Sequence, residues 1–392
     1  MTPAGRMQAA IELLDEIIAA ARSGGAAADT LIARYFKTRR YAGSKDRRAV
    51  RELVYRAIRA FGDPPASGRA AMIGLAAEEP ELLDAFAGPP HGPEPRSDQE
   101  EAANPAMLPA WLAPHLDPLV GVEELPALLA RAPLDVRVNR LRGSVDAALA
   151  ALPDAVRLPH APFGLRLPEG FPVEESLAWG QGLVEVQDEG SQLLVAACEA
   201  SPGELAVDLC AGAGGKTLAL AADMGAGRIV VSDTDRGRLT RMQPRLARAG
   251  VVIVEPRLLD PRREAEALAD LAGQADLVLV DAPCSGSGTW RRNPETRWRL
   301  TPKRLDQLLS LQAHLLGVAA PLVKPGGRLV YAVCSLLARE GRDQATAFSA
   351  RSGLRPQAIP LTAGREAGTG RLLTPAADGT DGFFVACWSR IC

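Results

Sequence analysis

Two cysteines and an aspartate stand where a parallel sheet would bring them together. Asp281 and Cys284 open a Gly/Ser-rich loop that follows the apolar run 277–280, and Cys334 follows the run 328–333. Each run is typical of a buried parallel strand, and open α/β sheets bind their ligands at the carboxyl ends of the strands. We therefore expect both thiols and the acid at one edge of a sheet.

Two thiols and an acid at one edge suit the methylation of cytosine at C5. A thiolate that adds to C6 moves electron density to C5, which then takes a methyl group from a sulfonium donor. Asp281 could hydrogen-bond the base at N3 and N4 if its site holds a proton on it, and a second thiol could assist product release. Either cysteine alone is better explained as a small buried apolar residue, and these residues alone do not order the two thiols.

A glycine-rich turn precedes this region. The predicted strand 205–209 runs into the turn 210–217 and an apolar helix over 218–224, which is the first unit of a doubly wound fold. The helix N-terminus would offer free N–H groups to a ligand. The turn lacks the glycine spacing of a phosphate loop, so we do not expect a nucleoside triphosphate site.

Further acids follow the next predicted strands. Asp233 ends a strand over 227–232, where an acid can bond a ribose hydroxyl, and Asp260 follows a short strand over 251–254. The fifth strand would be 328–333, preceded by a helix over 304–316.

The 392 residues are 47% apolar and 23% charged with a net charge of −2, as in a soluble protein of two or three domains. The chain shows neither a signal-peptide pattern nor an apolar run of about 18 residues, so we expect a cytoplasmic protein away from membranes. Its six cysteines and four histidines lack paired spacing, which predicts free thiols and no metal.

The first 62 residues hold twelve basic and six acidic side chains, and residues 63–104 hold two and nine. Helical periodicity predicts helices over 7–22, 28–36 and 45–61. The basic segment 37–48 would be a phosphate-facing loop or simply a solvated surface. Its proposed RNA contacts are Arg39, Arg40, Lys45 and Arg47.

Residues 63–105 are rich in Pro, Gly and acid and predict a linker with a short helix near 81–86, and 108–128 is helical in pattern. A small α+β module follows, and the polar face of its strand 135–142 would meet RNA or solvent. Arginines and tryptophans interleaved after Cys284 favour RNA contact over packing. These further RNA candidates are Arg137, Asn139, Arg291, Arg292 and Arg297.

The chain resembles the Nol/Nop/Sun family of S-adenosylmethionine-dependent RNA cytosine-C5 methyltransferases, and within it the bacterial ribosomal Sun or RsmB type. The matching motifs lie in order within residues 182–388. They are residues 186–192, 208–211, 214–217 and 281–286, Tyr331 with Cys334 and Ser335, and residues 381–384.

The resemblance implies roles for the residues above. Cys334 would be the nucleophile, Cys284 the thiol that assists product release, and Asp281 a contact of both cofactor and base. The S-adenosylmethionine contacts would be Cys210, Ala211, Gly212, Ala213, Gly214, Gly215, Lys216, Asp233, Asp260 and Asp281.

The residue patterns and the resemblance together predict an α/β architecture in four parts. These are an all-helical NusB-like RNA-binding domain (1–62), the linker segment (63–105), a helical connector with a small α+β RNA-recognition-like module (106–180), and a doubly wound Rossmann-like class I methyltransferase domain (181–392). The sequence departs from the family after the nucleophile, where Ala338, Arg339, Glu340 and Gly341 replace a usual Pro-Glu-Glu-Asn run. The contacts of that loop are therefore left open.

The expected function is C5 methylation of cytosine in RNA, with small-subunit ribosomal RNA as the substrate of a monomeric enzyme. The alternatives are methylation of another RNA such as tRNA, a DNA cytosine methyltransferase with Cys284 as nucleophile, and a non-catalytic RNA-binding or ribosome assembly factor. The sequence does not specify the target nucleotide.

Overall fold

The computed structural model describes residues 1–88, 90–97 and 99–391. Pro89 and Asp98 of the predicted linker, and Cys392, lie outside the described residues. The chain forms two compact units. The first, here called the helical unit, is Met1–Leu116 with Trp290–Pro302, and the second, the sheet unit, is Asp117–Thr289 with Lys303–Cys392.

Four helices build most of the helical unit, and the three predicted ones are confirmed. Thr2 Oγ1 accepts the N–H of Gly5 at 3.0 Å and caps the first helix, and Gly24 ends that helix in the left-handed conformation. Apolar side chains at helical spacing bury one face of each helix against a shared core. The bounds are Pro3–Ser23, Ala28–Thr38, Ser44–Ala60 and Gly68–Glu78, with 3-10 turns Pro80–Phe86 and Ala113–His115 and a short helix Thr296–Arg299.

The predicted end of the first domain at residue 62 is wrong, because the helix Gly68–Glu78 belongs to the helical unit. Its side chains Met72 and Leu75 are buried in the core that the first three helices form. The helix is mostly Ala and Gly, so its apolar periodicity is weak in the sequence. The continuous helix expected over 108–128 is also wrong. Prolines at 109, 114, 118 and 126 interrupt it, and only short pieces form.

A four-stranded antiparallel sheet forms the small module of the sheet unit, in the order β2-β3-β1-β4. Ser144 Oγ caps its main helix by accepting the N–H of Ala147 at 3.1 Å. The strands are β1 Leu134–Val138, β2 Val156–Arg157, β3 Gly164–Leu167 and β4 Val184–Val186, and the helices are Leu125–Leu129, Val145–Ala151 and Leu177–Gly180. Because β4 lies beyond residue 180, the module extends past its predicted end.

The larger sheet of this unit has the predicted doubly wound, Rossmann-like core. Its order is β11-β12-β13-β9-β8-β5-β6-β7, and β10 pairs with β13. The strands from β9 to β7 are parallel, and β13, β12 and β11 extend the sheet antiparallel. They are β5 Leu205–Asp208, β6 Arg228–Asp233, β7 Val254–Leu258, β8 Ala275–Asp281, β9 Val323–Val333, β10 Arg355–Gln357, β11 Arg365–Ala367, β12 Gly370–Leu373 and β13 Phe383–Ser389.

Helices precede or connect the strands of this sheet. They are Glu189–Ala196, Gly215–Met224, Arg236–Ala249, Glu264–Ala267, Pro302–Ala319, Arg342–Ser352 and Pro375–Asp378. Two strand bounds differ from prediction: β7 starts where the predicted strand 251–254 ends, and β9 begins five residues before its predicted start at 328. In the described part of the chain, no helix has both the length and the apolar character that a membrane span requires.

Candidate active site

The loop after β5 has the backbone geometry that brings main-chain groups close to a ligand. Gly212 and Gly214 have φ angles of +56° and +84°, and a Cβ at Gly214 would stand 2.6 Å from the Cγ of Met242. Only glycine fits position 214 without strain. A Cβ on Gly212 or Gly215 would meet no described heavy atom within 4 Å, so there is open space beside this loop.

The predicted cofactor-binding acids lie along the same edge. Asp233, at the end of β6, accepts the N–H of Gly212 at 3.0 Å and that of Asp235 at 2.8 Å. The N–H of Leu259 donates to the carbonyl of Asp233 at 3.0 Å, and Asp260 follows as an exposed side chain. Adjacent parallel strands therefore bring Asp233 and Asp260 to the edge occupied by the loop.

The remaining loop residues are held mainly through their backbone. Ala211 donates its N–H to the carbonyl of Ser232 at 2.9 Å, and Arg245 Nη1 donates to the carbonyl of Ala213 at 2.7 Å. Burial, and then the nearby Asp208, raise the pKa of the Cys210 thiol well above its usual range. Cys210 is thus a structural part of the loop and a poor nucleophile.

The two predicted catalytic thiols lie together, with 3.3 Å between Cys284 Sγ and Cys334 Sγ. Parallel pairing of β8 with β9 places their carboxyl ends side by side. The hydrogen bond with Cys334, followed by burial, raises the pKa of Cys284 well above its usual range. The Cys284 thiol therefore keeps its proton beside the neighbouring sulfur.

Lys216 forms an ion pair with Asp281, with Nζ 2.7 Å from Oδ2. Burial disfavours the charged lysine, but Asp281 outweighs burial and the pKa of Lys216 is raised. Cys334 also acts on the Lys216 charge, so a permanent cation stands near this thiol. The sequence identified Lys216 only as a loop residue, because the pairing joins positions 65 residues apart.

A further acid of the site, Asp208, was not singled out from the sequence. Asp208 ends β5 and is 1% exposed, and burial raises its pKa to about 7. Thr217 Oγ1 donates to Oδ2 at 2.7 Å, and Oδ1 has no hydrogen-bond partner among the described residues.

The structure also reveals a buried carboxylate, Glu340, between the two cysteine loops. It is 0% exposed and accepts hydrogen bonds from Ser285 and Ser335, which directly follow the two cysteines. A signal was available, because Glu340 matches the second acid of the family's Pro-Glu-Glu-Asn run. The flanking departures from that run obscured it.

The basic segment of the helical unit presents most of its charges to solvent. Arg40, Lys45 and Arg47 are exposed, and Tyr41 beside them is 72% exposed. Arg39 is half-buried, with its guanidinium 3.5 Å from the centre of the Tyr35 ring. The RNA contacts predicted for this segment remain a prediction on an accessible surface.

The RNA contacts predicted for Arg137 and Asn139 are wrong, because these side chains are only 6% and 1% exposed. Arg137 Nε donates to Gln187 Oε1 at 2.7 Å, and burial lowers the Arg137 pKa to about 10. Asn139 Nδ2 donates to the carbonyls of Gly182 and Ala249, both at 2.9 Å. Strand alternation identified a polar face correctly but could not show that other elements cover it.

The prediction for Arg297 is wrong for the same reason. This side chain is 1% exposed, and its guanidinium donates to four backbone carbonyls of the helical unit. Arg291 is 5% exposed and Arg292 is half-buried, so Arg291 is not available to a phosphate either.

Residues 195–389 match the family model described as 16S rRNA methyltransferase RsmB/F. Ribosomal RNA small subunit methyltransferase B of Klebsiella pneumoniae is 34% identical over 293 residues, which are 73% of this chain and 67% of that protein. The protein of the same name from Salmonella arizonae is 35% identical over 71% of this chain and 66% of its own length.

A similar solved structure, the crystal structure of PH0851, aligns with a TM-score of 0.75 at 25% identity. The alignment covers 100% of this chain and 99% of that one. The chain aligns with about two thirds of the length of the two curated relatives.

Proposed function

Since the chain belongs to the RsmB/F family of 16S rRNA methyltransferases, we propose that it methylates C5 of a cytosine in small-subunit ribosomal RNA. The observation that carries this proposal is the pair of thiols 3.3 Å apart at neighbouring strand ends, next to the Lys216–Asp281 ion pair. A cofactor-binding loop alone would fit many methyltransferases. The second thiol is what points to chemistry through a covalent bond to the base.

The methyl donor that fits this site is S-adenosylmethionine, which supplies an electrophilic methyl group when bound. The loop 210–216 would hold it, with Asp233 and Asp260 from the ends of the next two strands. The open space beside Gly212 and Gly215 and the two acids at the sheet edge support this assignment.

The two thiols have different tasks in the proposed reaction. Cys334 adds to C6, so a sulfur–carbon bond forms and C5 gains the electron density that takes the methyl group. Afterwards the C5 proton leaves to a base and the sulfur–C6 bond breaks, which restores the aromatic ring and the Cys334 thiolate. Cys284 assists this release, and Lys216 and Asp281 stabilise charge on the base.

The helical unit would contribute RNA affinity. The exposed Arg40, Lys45 and Arg47 can bind phosphates, and the exposed Tyr41 ring can stack on an unpaired base. The likeness of this unit to a NusB-like domain remains part of the proposal.

Transfer of a tritiated methyl group to unmodified small-subunit ribosomal RNA tests the function. We expect incorporation by the wild type and none by Cys334→Ala, because the adduct cannot form. Cys284→Ala should form the adduct and release it slowly, so that RNA stays covalently attached to the protein. The matched control Cys387→Ala alters a buried cysteine of β13 and should retain transfer.

Other outcomes identify the alternatives. Covalent trapping by Cys334→Ala in place of Cys284→Ala would reverse the roles of the thiols, as in a DNA cytosine methyltransferase. Incorporation only into tRNA or into DNA would change the substrate. No incorporation by a protein that still binds the cofactor would favour a non-catalytic assembly factor.

A further inference from the structure

The carboxylate of Glu340 joins the two cysteine loops inside the sheet unit. Ser285 N and Gln312 Nε2 donate to its Oε1, both at 2.9 Å. Ser285 Oγ and Ser335 Oγ donate to its Oε2 at 2.5 and 2.6 Å. Because all four of these groups, from three residues, are hydrogen-bond donors, the site is built to accept a carboxylate.

The other groups of this network leave little freedom to rearrange. Gln312 uses its amide group twice, since Nε2 also donates to the carbonyl of Pro283 at 3.0 Å. Ser287 Oγ lies 3.1 Å from Ser335 Oγ and accepts the N–H of Leu336 at 2.9 Å. The loops on both sides of the thiols are thus tied into one buried hydrogen-bond network.

Two of the donors to Glu340 are the residues next to the two cysteines in the sequence. Ser285 directly follows Cys284, and Ser335 directly follows Cys334. One oxygen atom of Glu340 therefore accepts a hydroxyl from the neighbour of each thiol. This contact ties the two loops together beside the sulfur atoms, which are 3.3 Å apart.

The Glu340 charge also distinguishes the two thiols. It is among the causes that raise the pKa of Cys284, after the hydrogen bond with Cys334, burial and the charge of Cys334. The cation of Lys216, in contrast, interacts with Cys334. The charged and titratable groups around the pair are Lys216, Asp208, Asp281, Glu340, Tyr331 and Cys210.

We propose that Glu340 is a positioning residue, whose carboxylate fixes the separation of the two thiols and places a negative charge beside Cys284. It does so through Ser285 and Ser335 and is not itself a contact of the base or the cofactor. The effect on methyl transfer rests on the function proposed above, whereas the effect on the thiols can be measured without it.

The test compares the wild type with Glu340→Gln, which keeps the shape of the side chain and removes its charge. Iodoacetamide alkylation from about pH 6 to 9, followed by mass spectrometry, measures the rate at each thiol separately, because only thiolates react. We expect Cys334 to react faster than Cys284 in the wild type. The Gln variant should lower this preference roughly threefold to tenfold, as Cys284 ionises more readily.

The matched control is Glu264→Gln. Glu264 is likewise a buried carboxylate, 3% exposed, but its side-chain partner is His314 outside this network. The control should keep the wild-type preference. An unchanged preference in a folded Glu340→Gln protein would overturn the proposal.

Methyl transfer provides the second measurement. Glu340→Gln should lower kcat about tenfold and leave the KM for S-adenosylmethionine unchanged, because Glu340 has no contact with the loop 210–216 among the described hydrogen bonds. If the wild type transfers no methyl group at all, the proposed function fails while the alkylation result still decides the role of Glu340.

If Glu340→Gln does not fold, Ser335→Ala replaces it. This variant keeps the charge and removes one hydroxyl that ties the loops together. Diamide, an oxidant that takes two electrons and two protons from a pair of thiols, then reports their proximity. Slower formation of the Cys284–Cys334 disulfide than in the wild type supports the proposal, and the wild-type rate overturns it.

Discussion

Asp208 is a buried carboxyl group at the end of β5. Ionising it in the folded protein lowers the free energy of unfolding, so its effect on stability depends on pH. Its pKa is raised from 3.8 to about 7, mainly by burial. Between these values the folded protein keeps a proton that the unfolded chain releases. The free energy of unfolding therefore falls as pH rises from about 4 to 7, and this contribution is constant above that window.

We expect Asp208→Asn to remove this cost. Asn keeps an acceptor for Thr217 Oγ1, so the hydrogen bond can persist. The variant should be more stable than the wild type at pH 8, by about 2 to 4 kcal/mol, with little difference near pH 4. Thermal unfolding of both proteins across this range measures the effect. Asp343→Asn, at an exposed position, is the control, and parallel pH profiles for Asp208→Asn and wild type would contradict the assignment.

The ion pair with Lys216 changes the role that is expected of Asp281. Asp281 was predicted to act on the base as a proton-holding acid, but its neighbour is a cation at 2.7 Å. The pair as a whole, lysine and carboxylate, is what the proposed reaction places beside the base. Its charges can respond together to electron density that moves onto the ring.

At the scale of elements, the loop after β8 is anchored through close backbone contact with the segment before β13. Gly288 donates its N–H to the carbonyl of Cys334 at 3.1 Å, and Gly382 donates to the carbonyl of Gly288 at 2.8 Å. A Cβ on Gly288 would stand 1.9 Å from the carbonyl oxygen of Gly382. No side chain fits between these two segments.

Gly288→Ala should therefore destabilise the protein by about 1 to 3 kcal/mol, because the backbone must move apart. It should also slow methyl transfer, since the same movement displaces the Cys334 carbonyl. The matched control is Gly317→Ala, at an exposed position of the helix Pro302–Ala319 with no described atom within 4 Å of the added methyl group. That variant should gain roughly 0.5 to 1 kcal/mol. Thermal unfolding distinguishes the two, and equal stabilities would contradict this account.

At the scale of the molecule, a segment distant in sequence completes the helical unit. The segment Trp290–Pro302 lies between Thr289 and Lys303 of the sheet unit in the chain, yet it packs with Met1–Leu116. Arg297 donates to the carbonyls of Ile58, Arg59 and Phe61, at the end of the third helix. The helical unit is therefore not a continuous stretch of sequence.

We expect Arg297→Leu to destabilise the helical unit by about 3 kcal/mol, because it leaves several carbonyls at a helix end without their donor. Hydrogen exchange should show faster exchange in the helix Ser44–Ala60. Arg34→Leu is the control, because the Arg34 side chain is 67% exposed and its ion pair with Glu16 spans 3.5 Å. It should change stability by less than about 0.5 kcal/mol. Unchanged exchange in Arg297→Leu would show that the segment is dispensable to the unit.

The basic surface of the helical unit predicts a salt-dependent affinity for RNA. Replacing Arg40, Lys45 and Arg47 together by Gln should weaken RNA binding and reduce the slope of log K against log salt by roughly 2 to 3. The control replaces the exposed Arg262 and Arg355 of the sheet unit. Filter binding over a range of salt concentrations measures both. A slope equal to that of the wild type would exclude this loop as the RNA surface.

Local sequence patterns were enough to predict the doubly wound core and the sheet edge at which the candidate site lies. Strand periodicity and the position of polar residues after each strand are local properties, so Cys284, Cys334, Asp233 and Asp281 could be assigned to one edge without coordinates. The family resemblance, which the relatives confirm, implies an order of the two thiols that stays a prediction. Local signals were sufficient here because parallel strands bring their carboxyl ends together by topology.

Which polar side chains are exposed to a partner became clear from the folded structure alone. Arg137, Asn139 and Arg297 are residue types that often bind nucleic acids. In this protein they are buried, and their hydrogen-bond partners come from distant parts of the chain. Glu340 is the converse case, an acid in a divergent loop that accepts donors from both cysteine loops. Burial depends on contacts between residues far apart in sequence, and no local pattern encodes those contacts.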